Sequence, residues 1–311
     1  MYRTVRTAIL SLLTLVLSLT AQAETFGAGI QNSQWYLSSS IFECRLTHRI
    51  PGVGEAVFTH EAGKPLAFYL EFNANPMQAG RAALVVEAPS WRPGAAVRDL
   101  GYVPVSQERR AIEVGDSAAA RMMAGLGDGM SPTFTRKAWY GNERIRVRLS
   151  SINFNGHLPE FRNCVSGLLP VNFDQVKRTR VYFGMGDTDL DASDRKKLDD
   201  VVLYVKADPT VTSIYVDGHT SRSGRRIANR TLSKKRAEAV TRYLVDQGLS
   251  PDKITTRYHG DRYPATDVSS KRGAVDRRAT VRLERETEPS MRARAPAPGP
   301  IDEATLEPVD S

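Results

Sequence analysis

Apolar and polar residues alternate in short runs through the first half of the chain, over residues 24–170. The pattern is clearest at residues 144–149, where Ile145, Val147 and Leu149 alternate with arginines, as expected for a half-buried β-strand. Glycines and prolines separate the runs, as hairpin loops require. Two further strands and one helix are predicted at residues 66–72, 84–87 and 117–126. This half of the chain is therefore predicted to be an antiparallel β domain, barrel-like or sandwich-like.

In residues 176–287 the pattern changes to strands that alternate with helices. One amphipathic helix is predicted to begin at the N-cap Ser193 and to end before Pro209, and a second is predicted to begin at Ser233 and to end at Gly248. The strands are predicted at residues 181–183, 211–216, 254–258 and 279–285. The order β-α-β-α-β-β predicts an α/β sandwich with helices on one face of a mixed sheet, so the whole chain is assigned to the α+β class.

The two ends of the chain differ in composition from both predicted domains. Residues 1–23 place Arg3 and Arg6 before an apolar run and end in Ala-Gln-Ala, which is typical of a cleaved secretory signal peptide. A retained membrane anchor is the alternative, but the apolar run is shorter than the roughly 20 residues that span a bilayer. We therefore expect export to the periplasm, with Glu24 as the first mature residue and no cysteine there for lipid attachment. Residues 288–311 are rich in proline and are expected to be disordered.

The net charge of the 311-residue chain is +8, and removal of the two signal-peptide arginines leaves +6. The basic residues are interspersed with acids, so the charge does not indicate a protein that binds nucleic acid. The five histidines lack the short spacings of a zinc site, and neither a metal nor a cofactor is predicted. Glu43, Glu87 and Glu143 are isolated acids without a recognisable catalytic partner, so the protein is not predicted to be an enzyme.

Cys44 and Cys164 are the two cysteines of the chain. In an exported protein, a disulfide bond between them is the expected state. Such a bond would close a loop of about 120 residues and would stabilise the folded domain by roughly 4 to 5 kcal/mol in the loop-entropy model. Two buried free thiols are the alternative.

The segment VDGHTSRSGRRIANRTLSKKRAEAV joins a predicted strand to a predicted helix and carries candidate binding residues. Its glycines permit sharp turns, and Thr220, Ser221 and Asn229 offer short hydrogen-bonding side chains. Arg236 is predicted to lie on the side of the helix that faces the sheet, where a guanidinium needs an acceptor. That acceptor is either the carboxylate of a ligand or an internal acid such as Asp217.

Residues 181–285 resemble the peptidoglycan-binding domain of the outer-membrane-protein-A type. The resemblance is carried by the motifs VYF, GHTSRSGRRIANRTLSKKRAEAVTRYLVDQGL, HGDRYP and DRRATVRL. In that family, the loop and the following helix hold the diaminopimelate of a peptidoglycan stem peptide. The resemblance implies that Arg236 binds the carboxylate of this group, and it matches Asn229, Arg277 and Arg278 to further positions of the family pattern.

The chain departs from this family pattern at Ser221, where the family has an aspartate that takes the ammonium group. A hydroxyl accepts a hydrogen bond but carries no charge, so the affinity for peptidoglycan fragments is expected to be weak unless Asp217 supplies the missing charge. The full set of predicted peptidoglycan-binding residues is Thr220, Ser221, Asn229, Arg236, Arg277 and Arg278.

The stretch WYLSSSIFECRLTHRIPGVGEAVF, which begins at Trp35, resembles the beginning of the MotY family of periplasmic flagellar motor proteins. The domain order and a cysteine at each end of the first domain also match. The resemblance implies that residues 24–170 bind the flagellar basal body and a MotX-like partner, in a ring that helps stator units to assemble. It also implies that residues 176–287 bind the cell wall.

Two other functions stay open from the sequence alone. A general envelope tether would bind the cell wall without any flagellar role, and its loss would cause detergent sensitivity without a defect in swimming. An enzyme that processes peptidoglycan is the third hypothesis, although no serine, cysteine or glutamate lies in a recognisable nucleophile or acid/base arrangement.

Overall fold

The structure, a computed structural model, describes most of the chain between the predicted signal peptide and the predicted tail. The described residues are 23–264, apart from 90–93 and 95, together with 272–286. The predicted tail at 288–311 and the predicted signal peptide, except for Ala23, lie outside them. The chain divides into two units between Leu168 and Leu169, and each unit builds its own sheets.

Within the described residues, the alternating pattern of the first unit forms ten strands. The strands are β1 (Ala23–Gly27), β2 (Trp35–Ser39), β3 (Glu43–Ile50), β4 (Gly54–Glu61), β5 (Ala67–Phe72), β6 (Gly80–Glu87), β7 (Arg98–Val105), β8 (Arg110–Val114), β9 (Ser131–Lys137) and β10 (Arg144–Arg148). They form two five-stranded sheets, in the orders β1-β10-β9-β6-β7 and β2-β3-β4-β5-β8. Neighbouring strands are antiparallel except β1 and β10, which pair in parallel. The predicted antiparallel β domain is confirmed, with one parallel pair at an edge.

The two sheets of the first unit share one hydrophobic core. Phe58 and Phe68 come from one sheet and Phe134 comes from the other, and all three side chains are buried. The rings of Phe68 and Phe134 stack with their centroids 5.6 Å apart. The two facing sheets therefore pack as in a sandwich, with alternate residues of each strand pointing into the core.

Two α-helices of the first unit cover part of this core. Helix α1 (Asp116–Gly127) confirms the helix predicted from the fourfold spacing of apolar residues. Helix α2 (Phe154–Ser166) is not predicted from the sequence, because it contains Pro159, which ordinarily interrupts a helix. Together the helices bury Met122, Leu126, Phe154 and Phe161 in the core.

Cys44 on β3 and Cys164 on α2 form a disulfide bond. Their Cα atoms lie 6.0 Å apart, although the two residues are 120 positions apart in the sequence. The predicted disulfide is confirmed, and the alternative of two free thiols is wrong, because neither cysteine is free. The bond ties the last helix of the first unit to one of its first strands.

Strands and helices alternate in the second unit, as predicted. Within the described residues its elements are α3 (Phe173–Val176), β11 (Arg178–Tyr182), α4 (Ala192–Ala207), β12 (Val211–Gly218), α5 (Arg226–Asp246), β13 (Ile254–Tyr258), α6 (Arg272–Asp276) and β14 (Arg278–Arg285). The strands form a mixed sheet in the order β11-β14-β12-β13, in which β12 and β13 are parallel and the other pairs antiparallel. Helix α4 packs against β11, and α5 packs against the other three strands. The predicted α/β sandwich is confirmed.

No helix in the described part of the chain is long and apolar enough to cross a membrane.

Helix α4 begins with a different cap from the predicted one. The N-cap is Asp191, whose side chain accepts a hydrogen bond from the backbone N–H of Asp194 at 2.7 Å. The predicted cap Ser193 therefore lies inside the first turn. The positive end of the helix dipole also stabilises a carboxylate at the N-cap, which favours Asp191 over Ser193 at this position.

Helix α5 begins at Arg226 and runs through Ser233, so the prediction that Ser233 caps this helix is wrong. The Ser233 hydroxyl donates a hydrogen bond to the carbonyl oxygen of Arg230 at 2.8 Å and accepts one from the N–H of Gly260 at 3.0 Å. A serine with two such partners is well accommodated in a helix interior. The second partner comes from a distant loop, and the local sequence pattern does not reveal it.

Candidate functional site

The loop between β12 and α5 starts where the strand and the helix approach each other closely. Gly218 is the last residue of β12, and a Cβ atom there would lie 2.1 Å from the carbonyl oxygen of Ser233 on α5. Only glycine is compatible with this contact. The close approach places His219, Thr220 and Ser221 beside the helix, and all three are buried.

Arg236 lies on α5 with its side chain fully buried. Its guanidinium donates three hydrogen bonds to backbone carbonyl oxygens: Nε to Asp187 at 2.8 Å, Nη2 to Gly184 at 2.8 Å, and Nη1 to His219 at 3.3 Å. No carboxylate in the described part of the chain lies within 4.0 Å of it. Arg236 therefore does not pair with Asp217, and its acceptors in the structure are backbone carbonyl oxygens, which neither alternative predicts.

The Arg236 guanidinium keeps both its charge and part of its donor capacity. Its pKa is lowered to about 10, first because burial disfavours the charged form and second because Arg277 is close, while Asp187 acts in the opposite direction. The group is therefore cationic at neutral pH. Since a guanidinium carries five N–H groups, each terminal nitrogen retains one N–H beyond its carbonyl contact. These two N–H groups are the donors that a carboxylate would use.

Two buried polar atoms at the start of the loop have no hydrogen-bond partner in the described structure. They are Oγ1 of Thr220 and Nδ1 of His219, on residues that are 3% and 7% exposed. A buried polar atom without a partner costs roughly 1 to 3 kcal/mol, so such an atom ordinarily bonds a ligand or an ordered water molecule. The backbone carbonyl oxygen of His219 accepts a hydrogen bond from Arg236, so His219 and the following Thr220 lie beside the guanidinium.

Ser221 and Asn229 are each engaged by a neighbouring side chain. The hydroxyls of Ser221 and Ser223 lie 2.8 Å apart and share a hydrogen bond. The amide Nδ2 of Asn229, in the first turn of α5, donates to Oδ2 of Asp261 at 3.2 Å. Ser221 follows Thr220 directly and lies at the candidate site, whereas Asn229 connects α5 to the loop after β13.

Arg277 and Arg278 occupy different surroundings. Nε of Arg277 donates to the carbonyl oxygen of Phe183 at 3.1 Å, and the ring of the same phenylalanine lies 5.1 Å from the Arg236 guanidinium. Arg277 therefore belongs to the same cationic cluster as Arg236. Arg278 donates to the carbonyl oxygen of Tyr263 at 3.3 Å, and its Nη1 lies 3.7 Å from the carboxylate of Asp276. These contacts hold Arg278 at the start of β14.

Asp217 lies on the sheet face away from α5, because its neighbour Val216 is buried beneath the helices and adjacent side chains of a strand point to opposite faces. Its two carboxylate oxygens accept hydrogen bonds from Arg257 at 2.7 and 2.9 Å, and His259 Nε2 lies 2.9 Å from one of them. Burial raises the pKa of this carboxyl, but Arg257 and His259 outweigh it and lower the pKa. This geometry does not support Asp217 as the ammonium ligand that replaces the family's aspartate.

The structure thus brings four of the predicted residues together: Thr220, Ser221, Arg236 and Arg277. The arrangement offers N–H and O–H donors and positive charge to an anionic, polar group. Sequence reasoning misses His219 as a member of the site, and also the carbonyl groups of the loop before α4. Every residue has the same backbone carbonyl, so these contacts leave no side-chain signal in the sequence.

The comparisons with known proteins account for nearly the whole described chain. Residues 26–170 match the family model of the MotY N-terminal domain, and residues 182–278 match the model of the OmpA family. The chain is therefore similar to the two families in succession, and the matched regions are called the MotY N-terminal domain and the OmpA domain below. The sodium-type flagellar protein MotY from Vibrio parahaemolyticus is 28% identical over 255 residues, which cover 81% of this chain and 87% of that protein. The likeness to MotY therefore extends through both domains.

The OmpA domain also has relatives outside the flagellar motor. Peptidoglycan-associated lipoprotein from Pseudomonas putida is 33% identical over 105 residues, which cover 33% of this chain and 62% of that protein. Among solved structures, the peptidoglycan-associated lipoprotein from Burkholderia pseudomallei matches 34% of this chain and 89% of its own, with 26% identity and a TM-score of 0.32.

Proposed function

We propose that this protein is a non-enzymatic component of the flagellar motor that associates with the basal body, binds peptidoglycan and supports assembly of the stator. The observation that carries the proposal is the succession of a MotY N-terminal domain and an OmpA domain in one chain. In this proposal the first domain contacts the basal body and a MotX-like partner. The second domain holds the assembly to the cell wall, against which stator units must be fixed.

The periplasm is the compartment that this role requires. The predicted signal peptide at residues 1–23 would direct export, and cleavage after Ala23 would release a protein without a lipid anchor. The disulfide between Cys44 and Cys164 supports this location, because such bonds persist in oxidising compartments outside the cytosol.

The proposed ligand of the OmpA domain is the diaminopimelate of a peptidoglycan stem peptide. Its carboxylate would receive the two remaining N–H groups of Arg236 and a hydrogen bond from Thr220, with Arg277 adding positive charge. Ser221 would accept a single hydrogen bond from the ammonium group. Because Ser221 brings no negative charge, the affinity for isolated stem peptides is expected to be lower than with an aspartate at this position.

Thr220→Val tests this ligand without removing an internal hydrogen bond. The Thr220 hydroxyl has no partner in the described structure, and valine has nearly the same shape as threonine. The thermal unfolding midpoint should stay equal or rise. Binding to purified cell-wall sacculi, measured by co-sedimentation over a range of protein concentrations, should weaken about tenfold through loss of one hydrogen bond to a charged group.

Thr231→Val is the matched control, because Thr231 lies on α5 and donates only to a carbonyl of its own helix, Ile227, at 3.1 Å. The control should bind sacculi like the wild-type protein. Equal binding by all three proteins would show that the Thr220 hydroxyl does not contact the ligand. Failure of the wild-type protein to sediment with sacculi would contradict peptidoglycan binding itself.

A general envelope tether is the second candidate, and the likeness of the OmpA domain to peptidoglycan-associated lipoprotein favours it. A tether needs the second domain but gives no reason for a MotY N-terminal domain. Co-purification of the protein with isolated basal bodies distinguishes the two roles. The motor role predicts that the protein co-purifies with them, whereas a tether would remain with the envelope fraction.

A further inference from the structure

One sheet of the MotY N-terminal domain has a basic outer face. On β10 the side chains of Ile145 and Val147 are buried in the core. Alternation along the strand places Arg144, Arg146 and Arg148 on the opposite face, toward solvent. The neighbouring strands β9 and β6 continue this face, because they pair with β10 and with each other in the same sheet.

Only part of this positive charge is neutralised within the domain. Glu87 on β6 lies 2.6 Å from Nη2 of Arg146 and 3.0 Å from Nη2 of Arg148. The guanidinium of Arg136, on β9, donates to the carbonyl oxygens of Gln78, Ala79 and Arg81. Three further basic side chains at this face belong to Arg81, Lys137 and Arg144. None of the three has a carboxylate within 4.0 Å in the described part of the chain.

Lys137 and Arg144 face each other directly across the β9–β10 pair. Like charges at directly opposed positions destabilise a sheet. Nothing in the fold requires two cations there, since both side chains are exposed. A bound anionic group would offset the repulsion.

These residues line a groove of about 610 Å³. Its lining includes Arg81, Tyr102, Lys137, Asn142 and Arg144. The Tyr102 side chain is 64% exposed, and the Arg81 guanidinium lies 5.6 Å from the centre of its ring. The groove crosses strands β7, β6, β9 and β10, so it is roughly 14 Å wide at the usual strand spacing.

Exposed aromatic residues continue the surface beyond the groove. The β9–β10 connection carries Trp139 and Tyr140, which are 64% and 53% exposed, with their rings in an edge-to-face contact at 5.3 Å. This connection follows Lys137 directly and precedes Arg144. Arginine and aromatic side chains are the residues that contribute most to protein–protein interfaces, and large exposed aromatics are costly on a surface that stays in water.

We propose that this groove, lined by Arg81, Tyr102, Lys137 and Arg144, binds an acidic segment of another protein. Carboxylates of the segment would pair with the three unneutralised cations, and its apolar side chains would pack on Tyr102 and on Trp139. The groove is shallow and spans four strands, which leaves room for an extended chain across the sheet. The identity of the partner as a basal-body protein rests on the proposed function.

A fluorescein-labelled peptide of alternating glutamate and leucine serves as the probe, with fluorescence anisotropy as the measurement and the full-length protein as the receptor. The double substitution Lys137→Glu with Arg144→Glu should weaken binding at least about tenfold. Arg121→Glu with Arg162→Glu is the matched control, because these exposed arginines on α1 and α2 change the net charge equally. The control should bind within about twofold of the wild-type protein.

The single substitution Lys137→Glu separates binding from folding. It turns a like-charge pair into an opposite-charge pair with Arg144, so the thermal unfolding midpoint should stay equal or rise while the peptide affinity falls. Equal peptide binding by the wild-type protein and the double variant would overturn the proposal. So would an absence of peptide binding, or preferential binding of phosphatidylglycerol vesicles or sacculi through these same residues.

Co-purification of the wild-type protein and of the double variant with isolated basal bodies tests the motor role and the groove separately. If the wild-type protein does not co-purify with basal bodies, the motor role fails, and the peptide measurement still decides the groove. If the wild-type protein co-purifies and the double variant does so equally, the groove is not the docking surface. If the double variant no longer co-purifies with basal bodies but still binds sacculi, and the wild-type protein does both, the result supports the motor role and the groove as docking surface.

Discussion

At the scale of single residues, His219 makes the stability of the candidate site depend on pH. Its pKa is lowered from 6.5 to about 4, first by burial and then by the nearby Arg278 and His259. The unfolded chain therefore binds this proton more tightly than the folded chain, and stability is lost as the pH falls from 6.5 towards 4. Between pH 7 and pH 5, this residue should lower the free energy of unfolding by about 2 kcal/mol.

Urea unfolding of the wild-type protein and of His219→Asn at the two pH values isolates this contribution. All other groups titrate in both proteins, so the difference between their losses reports His219 together with its electrostatic coupling to neighbours such as His259. The variant should lose about 2 kcal/mol less than the wild-type protein between pH 7 and pH 5. Identical losses would mean that His219 does not titrate differently in the folded and unfolded chain.

At the scale of elements, the predicted disulfide joins strand β3 to α2, a helix that the sequence pattern does not predict. Replacement of Cys44 and Cys164 by serine should lower the free energy of unfolding by roughly 4 kcal/mol, because the unfolded chain regains the entropy of a long loop. Guanidinium unfolding measures the change, and reduced wild-type protein should behave like the variant. A variant as stable as the oxidised protein would show that packing alone holds α2 against β3.

The sequence predicts an element well when its signal is local. Fourfold apolar spacing reveals α1, and strict alternation reveals β10. It fails where a distant partner decides the outcome: α2 forms despite Pro159, and Ser233 is held in mid-helix by the N–H of Gly260. The same holds for the site, where the loop residues and Arg236 are predicted but the carbonyl groups that hold the guanidinium are not.

At the scale of the whole molecule, the two domains supply different kinds of binding surface. The OmpA domain buries its candidate site, with Arg236 fully enclosed and Thr220 only 3% exposed, which suits a small anionic group. The MotY N-terminal domain presents an open basic groove edged by exposed aromatic residues, which suits a protein segment. A chain with both surfaces can connect a protein assembly to the cell wall, as the motor role requires.

Deletion of the gene tests the central claim most directly, with swimming and flagellation scored in the same cells. The motor role predicts cells that keep their flagella but do not swim, with an envelope that resists detergent like the wild type. Expression of the intact gene from a plasmid should restore swimming. Normal swimming by the deletion strain, with or without detergent sensitivity, would contradict the account.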